Sequence, residues 1–199
     1  MADAVKDKWW DVGAHSDVLV GLIKEKNIKK IAEVGVFEAR NARFILRSCG
    51  DIVEEYWGID KYNTEWIMQG KTYTHPKQTT EKWHEMYKRA CRYTPFFPQF
   101  RILKMDSAEA VALFPKASFP DGYFDFVFID ADHTYEMVKR DIQLWLPLVK
   151  KDGIIGGHDY GFPDEAVRWG GVQKAVDEMF KPEQIKVHKR QGVWLVDCI

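Results

Sequence analysis

The chain has 199 residues, 46% hydrophobic and 30% charged, with a formal net charge of -1. That balance describes one globular domain with a single sizeable core and leaves no electrostatic footprint for nucleic acid. No apolar run is long enough to span a bilayer, the start MADAVKDKWWD is too charged for a signal peptide, and three cysteines without metal-ligand spacing read as reduced thiols in the cytoplasm.

Helices and strands are predicted in alternation. Residues 1–30 form an N-terminal helical segment, with Val18, Leu19, Leu22 and Ile23 at helical spacing and Ser16 as its N-cap. KKIAEVGV is a short apolar strand ending in Glu33 and Gly35, and ARNARFILRSCG is a helix stopped at Gly50. EEYWGID is the second strand. Residues 61–100 are long for one crossover and rich in Tyr, Trp, Lys and His, which marks an inserted lid or substrate-facing segment. Trp66, Trp83 and Tyr87 there, with Trp9 and Trp10 upstream, are candidate acceptor-lining aromatics. FRILKMD is the third strand, SAEAVALFP a helix capped by Ser107, and YFDFVFID the fourth strand. The helix TYEMVKRDIQLWLPLVK, the strand GIIGGHDY and the helix GVQKAVDEMF follow. The tail QIKVHKRQGVWLVDCI holds two strand-like runs joined by a few residues around Gly192. That is too short for a crossover, so the two pair antiparallel as a hairpin.

Strands alternating with helices imply βαβ units and a parallel sheet. The expected fold is one α/β domain over residues 1–199, a three-layer Rossmann-like sandwich. Its seven-stranded, mostly parallel sheet ends in a C-terminal antiparallel hairpin, where a nicotinamide-binding domain would place a helix between its last two strands. In open sheets of this kind ligands bind outside the carboxyl ends of the strands. Gly35 lets a cofactor approach the backbone of the first βα turn, and Glu33 can accept from a cofactor's ammonium. Asp60, at the second strand tip, suits two ribose hydroxyls. Asp106, at the third, suits an adenine amino group, with Ser107 donating nearby. Gly35 also reads as an ordinary βα turn, and Asp106 as a helix-start acid favoured by the dipole. Three acids on successive strand tips favour the rim of a nucleoside cofactor. The first turn has one glycine, with Ala39 where another is expected, which disfavours pyrophosphate.

Together IAEVGVFEARN, YWGIDKY, LKMDSAEA, FDFVFIDADHTYEMVKRDIQLWLPLVKKDGIIGGHDY and GGVQKAVDEMF resemble the class I S-adenosylmethionine-dependent methyltransferases. The closest resemblance is to the small O-methyltransferases of the caffeoyl-CoA, catechol and macrocin types, and it runs from about Ile31 to the C-terminus. It implies S-adenosylmethionine (SAM) as cofactor, held by Glu33, Gly35, Asp60, Asp106, Ser107 and Asp130, and methylation of a small-molecule hydroxyl.

Asp130 closes the fourth strand and His158-Asp159 the fifth, and neighbouring tips let Asp130 and Asp159 converge on a divalent cation such as Mg²⁺. In the metal-dependent enzymes that the chain resembles, the fifth-strand ligands are an Asp-Asn pair. Here His158 replaces that Asp, as a ligand for a softer ion such as Mn²⁺ or as a pocket wall. In the catechol-type enzymes a lysine three residues beyond the metal acid takes the hydroxyl proton. That offset gives His133, an imidazole that titrates near neutrality. His158 is the alternative base, and Asp132 reads as a helix-start acid. His15, His75, His84 and His188 read as surface or packing residues. Rival readings are a metal-independent methyltransferase with a His base, an NAD-dependent oxidoreductase and a catalytically silent binding module. No nucleic-acid or membrane partner is expected, and a homodimer is compatible with the reading.

Overall fold

The computed structural model describes residues 15–63, 65–68, 71–74, 79–161 and 171–198, with 65–68 and 71–74 as backbone only. Nine strands lie among them: β1 (Lys30–Val34), β2 (Glu55–Asp60), β3 (Glu65–Met68), β4 (Lys71–Thr74), β5 (Phe100–Lys104), β6 (Phe124–Ile129), β7 (Val149–Gly157), β8 (Ile185–His188) and β9 (Val193–Asp197). The helices are α1 (His15–Lys26), α2 (Arg40–Cys49), α3 (Thr80–Cys91), α4 (Ser107–Ala110), α5 (Tyr135–Trp145) and α6 (Gly171–Met179).

Seven strands form one sheet in the order β5-β2-β1-β6-β7-β9-β8, while β3 and β4 pair only with each other. The first five of that order run parallel, and β9 is antiparallel to both β7 and β8. This is the expected mixed sheet with its terminal hairpin. From β1 the chain winds one way to β2 and β5 and the other way to β6 and β7. The reversal opens a crevice between the tips of β1 and β6.

Alternating strand residues face two helical layers. Leu19 and Ile23 of α1, Ile45 and Leu46 of α2 and Ala90 of α3 pack with Ile31, Tyr56, Phe126 and Phe128. On the other face Ala110 of α4, Ile142 and Trp145 of α5 and Val176 of α6 pack with Ala32, Val34, Val127 and Ile129. Phe124 joins this second face although its parity matches Phe126. The pairing with β7 is irregular between Phe124 and Phe126, where the extra residues lie on β7.

Two expectations change at element ends. Ser16 lies inside the first turn of α1, not outside it, and its buried hydroxyl donates to Asn41 Oδ1 at 2.8 Å. The helix expected to reach Lys150 ends at Trp145, because Pro147 has no N–H to continue it; one 3₁₀ turn (Leu146–Leu148) leads into β7. The 61–100 insertion contains the β3–β4 hairpin and α3, whose N-cap Thr79 accepts from the Lys82 N–H. Among the described residues no helix is long and apolar enough to cross a membrane.

Candidate active site

The first βα turn is held open by its neighbours. Gly35 has φ +97°, and a Cβ there would lie 2.1 Å from the Asp130 carbonyl oxygen. Glycine is therefore required twice over, by conformation and by the close approach of the β6 exit. Phe37 and Ala39 in the same turn are also left-handed, with φ 52° and 56°.

 The Asp60 carboxylate holds this strained turn: Oδ2 accepts from the N–H groups of Val36 (3.1 Å) and Phe37 (2.9 Å), and Oδ1 from that of Tyr62 (2.8 Å). The Tyr62 hydroxyl closes the loop by donating to the Phe37 carbonyl at 2.8 Å. Burial raises the Asp60 pKa, and the three amides oppose that rise. Of the four lone-pair directions of a carboxylate, three are taken and one is left for a ligand hydroxyl.

Glu33 stands one residue inside the strand end and is 1% exposed. It accepts from Asn41 Nδ2 at 2.8 Å and from the Tyr56 hydroxyl at 2.9 Å. Burial pushes its pKa up to about 8, against the pull of those two hydrogen bonds. At the tip of β5 the cap of α4 is Asp106, not Ser107. Asp106 has the extended backbone of an N-cap and accepts from the Ala108 N–H at 3.0 Å. The Ser107 hydroxyl is buried and donates to Asp141 Oδ1 at 2.6 Å while accepting from Arg140 at 2.8 Å, so its one proton is engaged inside the protein. Arg140 also lies 3.4 Å from Asp106.

Across the crevice the acids and imidazoles converge as expected. His133 Nε2 is 2.8 Å from Asp159 Oδ2 and 3.8 Å from Asp130 Oδ1. His158 Nδ1 is 3.1 Å from Asp159 Oδ1 and 3.7 Å from Asp130 Oδ1. Asp159 is left-handed, φ 62°, at the turn that follows β7. Ligand atoms of Asp130, His133 and Asp159 all lie within 4.8 Å of one another, a donor set that suits a divalent cation. The triad that the geometry groups thus contains His133, where the sequence pointed to His158.

Burial and charge oppose each other in this cluster. Burial alone would lower both imidazoles, but hydrogen bonds and charge from Asp130 and Asp159 outweigh it, holding His133 up at about 9 and His158 at about 10. Burial likewise works against both carboxylates, and the two histidines overcome it, keeping Asp130 and Asp159 below the usual range. The paired carboxylates therefore favour the protonated form of both imidazoles.

His15 is a site residue that sequence reasoning missed. Its ring centroid is 4.4 Å from that of His158, and it stacks on Phe128 at 6.3 Å. Burial and the His158 charge lower its pKa. Nothing in the pattern of α1 signals this, because the contact depends on how α1 crosses the sheet. Asp132 accepts from the Thr134 N–H at 2.7 Å as a helix-start acid. His84 and His188 are exposed; Trp9, Trp10, His75 and the Trp66 side chain lie outside the described residues. Trp83 meets Phe37 edge-on at 6.2 Å, and Arg89 pairs with Glu38 at 2.7 Å, so α3 is fastened to the first βα turn.

Residues 32–160 match a family described as a methyltransferase domain. No curated protein sequence matches the chain. Several solved structures are similar at low identity. The calicheamicin methyltransferase CalS11 is 14% identical, with 92% of this chain and 77% of that one covered and a TM-score of 0.66. The O-methyltransferase TomG from Streptomyces achromogenes, involved in tomaymycin synthesis and solved with SAM, is 13% identical, with 93% and 80% covered and a TM-score of 0.59. An O-methyltransferase from Bacillus cereus, solved with SAH, is 12% identical, with 94% and 82% covered and a TM-score of 0.59. At these identities the likeness is one of fold.

Proposed function

The chain belongs to this methyltransferase-domain family, and from that premise we propose that it methylates a hydroxyl oxygen of a small-molecule acceptor with SAM, assisted by a divalent cation. One observation carries the reading. The Gly35 turn touches the Asp130 backbone, so a nucleoside site on one side of the crevice adjoins an acid–imidazole cluster on the other. The donor set at the first side suits SAM: Asp60 keeps one acceptor direction for a ribose hydroxyl, and Asp106 stands at the next strand tip for adenine. SAM supplies an electrophilic methyl group on a sulfonium.

Asp130, His133 and Asp159 would hold the cation, whose charge lowers the pKa of an acceptor hydroxyl. His158 orients both carboxylates from Nδ1. Once the carboxylate charge is balanced by a cation, the imidazoles no longer need their protons to neutralise it. His158, which is not among those three ligands, would then take the hydroxyl proton. A second reading drops the cation and uses the 2.8 Å His133–Asp159 pair as the base, as in other oriented imidazole–carboxylate pairs.

Thermal melts test the cofactor. SAH at about 100 times its Kd should stabilise the protein by about 2.7 kcal/mol, and NAD should not. Absence of any SAH effect overturns the reading. Turnover with methyl-labelled SAM and a panel of hydroxyl acceptors, before and after dialysis against chelator, separates the two mechanisms: unchanged rates select the cation-free one.

A further inference from the structure

We propose that His15 is a positioning residue of this active site, holding the His158 imidazole against the Asp130–Asp159 carboxylate pair. The consequence for catalysis rests on the methyltransferase reading; the geometry does not.

An imidazole has a broad, roughly two-fold preference about its second side-chain torsion. A half-turn of His158 would put a carbon where Nδ1 now lies, and both carboxylate contacts, at 3.1 and 3.7 Å, would be lost. The His158 backbone N–H donates to the Ile129 carbonyl, which fixes the residue but not its ring. The ring face is met by His15, 4.4 Å away between centroids and tilted by 44°.

His15 is itself well anchored. The next residue, Ser16, is buried and donates to Asn41, which in turn donates to Glu33 beneath the cofactor turn. One turn further on, Leu19 is fully buried, as is Ile23. Phe128 lies nearly parallel to the His15 ring, 14° between planes at 6.3 Å. Two adjacent residues at the start of α1 therefore reach both halves of the site, Ser16 towards Glu33 and His15 towards His158. A helix-start histidine with only a packing role would need no such dipeptide, and any side chain of similar bulk would replace it.

That difference is the test. In the cation-free full chain, long-range proton–nitrogen NMR reports the His158 ring nitrogens. His15→Ala should move those resonances and leave His84 and His188 in place. His15→Phe, which keeps a ring face, should restore them, and His15→Leu, which keeps bulk alone, should not. Binding of Mn²⁺ alone, read by electron paramagnetic resonance of the free ion, should be about 10-fold weaker in the alanine than in the phenylalanine variant, the scale on which outer-shell partners act. His158 resonances that stay in place in His15→Ala overturn the proposal, and so does equal restoration by leucine. If the alanine chain fails to fold, the phenylalanine–leucine comparison decides. SAH stabilisation of the wild type is measured alongside: its absence counts against methyl transfer, while the NMR result still judges His15.

Discussion

Glu33 is a carboxyl group that the fold prefers to keep protonated. Its folded pKa is about 8 against an ordinary 4.5, so between those values the native state holds a proton that the unfolded chain has released. Stability should therefore fall as pH rises from about 4.5 to 8. Glu33→Gln should remove that slope, because an amide can accept from Asn41 and donate to the Tyr56 hydroxyl without ionising; melts from pH 5 to 9 compare the two. Gly35→Ala should cost at least about 3 kcal/mol in urea unfolding, since it combines a left-handed alanine with a clash against backbone. Both residues were legible in IAEVGV as members of the first turn. What the sequence did not reveal was that Glu33 is sealed beneath the turn, because burial depends on Asn41, Tyr56 and Ser16 meeting from three elements.

Elements were legible where hydrophobic runs met turn residues, and less so at their ends. The strand tips carrying Asp60, Asp106, Asp130 and Asp159 lie where the pattern put them. Ser16 and Ser107, chosen as caps by residue type, instead have buried hydroxyls bonded to Asn41 and Asp141. The N-cap preference for serine is local, and tertiary partners override it. In the 61–100 insertion, α3 was expected to serve the acceptor alone, yet it grips the first βα turn through Trp83, against Phe37, and Arg89, paired with Glu38. Trp83→Ala should therefore weaken SAH binding several-fold by calorimetry, as well as any acceptor binding. Arg89→Met should cost less than about 1 kcal/mol, because its ion pair with Glu38 is half in solvent.

At the scale of the molecule, the cluster should make stability depend on pH and, on the proposed reading, on a divalent cation. His133 and His158, raised from 6.5 to about 9 and about 10, contribute stability that is complete below pH 6.5 and lost as pH climbs through 9 to 10. Asp130 and Asp159, held low, contribute stability that is present above about pH 3.8 and lost on acidification. Chelated protein should thus be less stable at pH 9 than at pH 6. Excess Mn²⁺ should reduce or reverse that slope, because ligands bind a cation only after giving up their protons. Parallel melts with chelator and with Mn²⁺ check this, and identical curves would count against cation binding.

The place of β9 has a consequence for how the protein is made. It follows every other described strand in the chain, yet it lies inside the sheet, between β7 and β8, with Val193 and Trp194 fully buried. During synthesis β7 must wait as an open edge until Val193–Asp197 clears the ribosome, and the crevice beside His158 waits with it. A nascent chain arrested before β9 should remain open to protease and fail to retain SAH, whereas one extended by a linker long enough to free β9 should close, resist cleavage and bind.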